Sequence, residues 1–84
     1  MEEMNYPLVE ILWADAGLEA IQMDAEQAKA ITPLKRKNAG YCLVDDKEKV
    51  ILCFGVIADG EHGKTVYDQT LVVPKGMVIK ITKL

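Results

Sequence analysis

The chain contains a single histidine, a single tryptophan and a single phenylalanine, and only two cysteines among its 84 residues. Each scarcity excludes a class of function. One histidine and two cysteines do not complete a four-ligand zinc site within one chain, so no metal is expected. A general base needs a positioned partner and a pocket. His62 instead lies in the glycine-flanked loop Asp59-Gly60-Glu61-His62-Gly63-Lys64, with no serine or cysteine nucleophile near it. No catalytic residue is therefore expected, and the chain reads as a non-enzyme. Asp45-Asp46-Lys47-Glu48 lacks the spacing and sharp glycine of a calcium loop. Gly60 and Gly63 lack the strand-to-helix context of a phosphate loop, so no cofactor is expected. The longest apolar run falls well short of the ~20 residues that span a membrane. The acidic start, Met1-Glu2-Glu3-Met4-Asn5, has neither the basic nor the apolar region of a signal peptide. The expectation is a cytoplasmic protein with no membrane partner. Repeats and low-complexity segments are also absent.

What is present is apolar. Half the residues are hydrophobic, rich for a chain that forms one small domain over 1–84 and buries only about 60–65% of its unfolded surface. Disorder is expected no further than residues 1–5. The apolar excess suggests surface shared with a partner protein or a second copy. Charge is unevenly spread. Residues 1–30 hold seven acids and one base, whereas residues 31–84 hold nine bases and six acids. The two halves either neutralise each other within the fold or mark an acidic and a basic side suited to head-to-tail association.

Strand patterns dominate. Residues 7–14 alternate, with Val9, Ile11 and Trp13 on one side. Asp24-Ala25-Glu26-Gln27 fits a helix cap with Gln three positions on, which predicts a short helix from about Ala25 to Ile31, stopped by Pro33. Met23, Ala28 and Ile31 are the residues available to anchor it. The chain is then extended from Thr32 to Val44, turns over 45–48 and continues as a strand over 49–58. A fourth strand is expected at 65–73, a tight corner at Val73-Pro74-Lys75-Gly76, and a last strand in which Met77, Ile79 and Ile81 alternate with Val78, Lys80 and Thr82. Five strands, one helix after the first and a corner before the last describe a small five-stranded SH3-like or Sm-like β-barrel. A hairpin pairing Asp45 with Val50 would set Cys42 opposite Cys53 on one sheet face, as two buried free thiols in a reducing compartment. Val50 to Ala58 carries no strongly polar side chain, so both faces of that strand are expected to be covered, by the core on one and by the helix or a partner on the other.

Three segments carry a resemblance. Trp13-Ala14-Asp15-Ala16, Gly40-Tyr41-Cys42-Leu43-Val44 and Val73-Pro74-Lys75-Gly76-Met77-Val78-Ile79-Lys80-Ile81 resemble short phage- and prophage-encoded proteins of bacteria. The resemblance implies a small β-rich fold and a bacterial or mobile-element origin, with no catalytic residue to carry over. The chain is also similar to Sm-like RNA-binding barrels in its apolar closing strand. The loop residues by which those proteins hold uridines are not recognisable here, and the helix follows the first strand instead of preceding it.

Two surfaces stand out as candidates. Lys35, Arg36 and Lys37, with Tyr41 close by, are the residues that would contact phosphates and stack on a base of a single-stranded nucleic acid. Against that reading, the chain has five aromatic residues and a net charge of −3, and dedicated binders are usually basic. The bland alternative is a solvated strand whose lysine stems cover apolar surface. Trp13, Val50, Leu52, Phe54 and Val56 are the candidate interface residues, through which the chain would bind another protein or itself. The leading expectation is a non-enzymatic interaction or self-associating module, with weak single-stranded nucleic-acid binding as the alternative.

Overall fold

The computed structural model describes residues 6–16, 22–58 and 63–84. His62, the rest of its loop at 59–61 and residues 1–5 lie outside that set. The elements run β1 (Leu8–Asp15), α1 (Ala25–Lys29), β2 (Leu34–Asp45), β3 (Lys49–Ile57), β4 (Val66–Pro74) and β5 (Val78–Lys83), with a short 3-10 turn over Lys75–Met77 before β5. All pairings are antiparallel and build one sheet in the order β4-β3-β2-β1-β5.

This sheet is open, which corrects the expected SH3-like or Sm-like barrel. Strands β4 and β5 are its two edges, and no ladder joins them. A barrel needs every strand, the last pair included, to share hydrogen bonds around the ring. Here the three residues Lys75–Met77 bring the end of β4 to the start of β5. From that corner β4 stays with β3 along its whole length, from Pro74 opposite Lys49 to Val66 opposite Ile57. β5 instead follows β1, from Val78 opposite Trp13 to Lys83 opposite Val9.

The core forms where the open sheet folds over itself. Twelve-residue β2 serves both halves, pairing with β1 from Leu34 to Tyr41 and with β3 from Tyr41 to Asp45. Val9, Ile11 and Trp13 face inward as their alternation predicts, and meet Cys42, Val50, Leu52 and Val73, with Leu71, Met77, Val78 and Ile81 packed around them. Ile11, Val50, Leu52 and Val73 have no exposed surface. Full burial of such side chains contributes about 1.5–3 kcal/mol each. The Trp13 indole is held at its polar edge, where Nε1 donates to Asn38 Oδ1 at 2.9 Å.

Two bulges alter the expected faces. Asp45 does pair with Val50, but the register slips at Leu43, so Cys42 opposes Leu52 and Tyr41 opposes Cys53. One inserted residue moves a side chain to the other face. The cysteines are thus free and buried on opposite faces, not opposite one another. In β5 the slip between Leu12 and Trp13 pairs them with Lys80 and Val78. Ile79 is then the extra residue and lies exposed, while Val78 and Ile81 point to the core.

Beyond the core the molecule is long. Its principal extents are 58 × 24 × 21 Å and its radius of gyration is 17.0 Å, against roughly 12 Å for a compact chain of this length. The ends of β1 and β2, from Ala14 opposite Lys35 to Asp15 opposite Leu34, lead out to α1. Every residue from Asp24 to Lys37 is exposed. α1 forms because its capping box closes: Asp24 Oδ1 accepts from the Gln27 N–H at 2.8 Å, and Gln27 Oε1 accepts from the Asp24 N–H at 3.1 Å. It buries no residue. Ala28 and its neighbours offer too little apolar area to draw it onto the sheet, at about 0.8 kcal/mol per buried methylene. The second face of β3 is accordingly not covered by the helix, and Phe54, Ile57 and Ala58 are exposed.

Candidate functional surface

Cross-strand register sorts the basic segment. Trp13, which faces the core, is paired with Arg36, and Ile11 with Asn38. Arg36 and Asn38 therefore share the core-side face, while Lys35, Lys37, Ala39 and Tyr41 lie on the outer face. Arg36 is engaged there, its Nε donating to Asp15 Oδ2 at 2.6 Å. Such an exposed pair contributes about 0.2–1 kcal/mol. Lys35 and Lys37 have no ion-pair partner among the described residues. Tyr41 is half-buried and stands about 13 Å along the strand from Lys37. The four candidate nucleic-acid contacts are thus divided, with one turned away and one at a distance.

Register also adds a residue that chain order conceals. Leu12 lies between Lys37 on β2 and Lys80 on β5, so Lys35, Lys37 and Lys80 sit on one face. Glu10 follows between Ala39 and Thr82 and interrupts the positive strip.

Of the candidate interface residues, Trp13, Val50 and Leu52 are in the core. Val56 is half-buried and Phe54 is 40% exposed, its ring lying over Gly40. The accessible apolar side chains are others. Ile31 and Leu34 on the projecting arm are 46% and 62% exposed, and Ile57, Val66, Val72 and Ile79 lie at the ends and edges of the sheet. Their exposure follows from the open topology, which the residue pattern did not reveal. One signal was present: the extended stretch from Thr32 to Val44 is longer than the strand that follows it, so part of it cannot pair with that strand.

Several of the remaining polar groups serve the fold. Asp46 Oδ1 accepts from the Glu48 and Lys49 N–H groups at 2.8 and 2.9 Å, an Asx-type turn. These two backbone donors hold its carboxyl below the ordinary aspartate range. Lys75 anchors the corner to this turn, through its backbone N–H to Glu48 O and its Nζ to Asp45. Burial, reinforced by the Asp45 charge, pushes the Cys42 thiol up and makes it a poor nucleophile. The Cys53 Sγ donates at 2.7 Å to Gly55 O. Among the described residues no three His, Cys, Asp or Glu side chains gather as metal ligands, and no helix is long and apolar enough to cross a membrane.

Comparison with protein-family models, with curated proteins and with solved structures finds no match.

Proposed function

We propose that this chain is a non-enzymatic interaction module that engages another protein, or a second copy of itself, through its projecting arm and uncovered strand edges. The observation that supports this reading is the unbroken exposure of Asp24 to Lys37, Ile31 and Leu34 included. A two-stranded ribbon is marginally stable by itself in water, and none of the described residues from Asp24 to Lys37 is buried. Single-stranded nucleic-acid binding is the weaker reading, because Arg36 is turned from Lys35 and Lys37 and bound to Asp15.

A photo-crosslinking residue placed at Leu34 in the natural host tests the proposal, alongside light scattering of the purified chain. A cross-link to a protein, or a dimer or larger species lost in Ile31→Ser/Leu34→Ser, is the expected result. A monomer whose arm cross-links to nothing, or to nucleic acid alone, would overturn it.

A further inference from the structure

We propose that the free edge of β2 between Lys35 and Ala39 takes up an extended acidic strand of a partner protein, adding it to the sheet. The inference rests on the interaction-module reading and names the partner's chemistry. In an antiparallel ladder, opposed residues alternate between hydrogen-bonded and non-bonded pairs. The Cys42 N–H donates to Pro7 O at 2.8 Å, which makes Pro7/Cys42 a bonded pair. The unbroken register from there makes Val9/Gly40, Ile11/Asn38 and Trp13/Arg36 bonded pairs too. Lys35, Lys37 and Ala39 therefore turn their N–H and C=O groups away from β1. Strand β3 receives those of Tyr41, opposite Cys53. Beyond that point Phe54 lies against Gly40, and no described strand continues along β2. A row of donors and acceptors, repeating every ~6.8 Å along the strand, is left facing outward.

The flanking charges define what fits. Lys35 and Lys37 lie on one face beside this row without ion-pair partners among the described residues, so an incoming strand with carboxylates two residues apart would set them opposite the two ammonium groups. On the other face Arg36 and Asn38 are occupied by Asp15 and Trp13, and Leu34 is open to an apolar neighbour. A second copy is disfavoured, because two β2 edges paired antiparallel would crowd lysines against lysines. The other edges are less suited. Strand β4 is kinked at Gln69, whose φ is 53°, and ends in Pro74, while β5 is only six residues long and bulged.

The test is an NMR titration of the isotope-labelled full chain with a short capped peptide of alternating valine and glutamate, and with its valine–lysine counterpart. The valine–glutamate peptide should shift the Lys35, Lys37 and Ala39 amides and protect them from exchange, with the lysine peptide about tenfold weaker. The preference should reverse in Lys35→Glu/Lys37→Glu, a surface change that leaves the core intact. Equal binding of both peptides, shifts confined to other strands, or the same shifts produced by oligothymidylate would overturn the proposal. If Leu34 cross-links to a protein while these amides stay silent, strand addition is rejected and the module reading stands. If both are silent, both fail.

Discussion

Gly40 is the position at which the fold tolerates least. It lies where β3 peels away from β2, and a Cβ built there would stand 2.8 Å from Cys53 O and 3.1 and 3.3 Å from the Phe54 ring. The ring has room to move, being 40% exposed, but the carbonyl belongs to the backbone that pairs with Tyr41. Gly40→Ala must therefore push β3 outward beside the core residues Leu52 and Val50. Overpacking of this kind costs about 1–3 kcal/mol, on the order of 5–20 °C in Tm for a domain of this size. Thermal and urea unfolding would read it. Gly76→Ala, whose Cβ meets nothing within 4 Å, is the matched control, and is expected near neutral or up to about 1 kcal/mol more stable through the unfolded chain. Gly40→Ala/Phe54→Ala should recover little of the Gly40→Ala loss, because the carbonyl remains. If Gly40→Ala unfolds like the parent chain, the close approach of β2 and β3 is refuted.

Three further outcomes follow. Leu52→Ala should cost about 2–5 kcal/mol and Ile11→Val about 0.5–1.5, measured by urea titration. Equal effects would mean that Leu52 is not at the centre of the packing. Asp46 has a lowered folded pKa, so its turn is stabilised at pH above the unfolded value and loses that support as pH falls through the folded one. The Glu48 and Lys49 amide signals should titrate below the ordinary aspartate range, and no longer do so in Asp46→Asn; a midpoint at or above that range would count against the turn. Because the bulge at Leu43 puts Cys42 and Cys53 on opposite faces, mild oxidation should leave both thiols free in intact-protein mass spectra, and an intramolecular disulfide would contradict the register.

Much of the fold was legible in residue order. The alternation of Val9, Ile11 and Trp13 located β1 and its inner face, Asp24 and Gln27 located α1, and Pro74 marked the corner. These signals are local, and the structure follows them to within two residues. What residue order did not reveal depends on register. Nothing in the chain around Leu43 or Ile79 announces a bulge, yet each decides which apolar side chain is buried. Closure is not encoded locally for the same reason, since strand count and a tight corner are shared by open sheets and barrels. The candidate residues divide similarly. Trp13, Val50 and Leu52 are apolar because the core needs them, and the conspicuous segments around Trp13, Cys42 and Val73 likewise hold buried side chains. Lys35 and Lys37 were visible as charges, but the unpaired backbone between them appears only once β3 is seen to leave β2 at Tyr41.

That unpaired edge is tested most directly by residue-resolved amide hydrogen exchange on the isolated chain. The amides of Arg36, Asn38 and Gly40 should be protected by β1, and those of Lys35, Lys37 and Ala39 should exchange rapidly, in strict alternation. Uniform protection from Lys35 to Gly40 would show the edge already covered and contradict the departure of β3 from β2 at Tyr41.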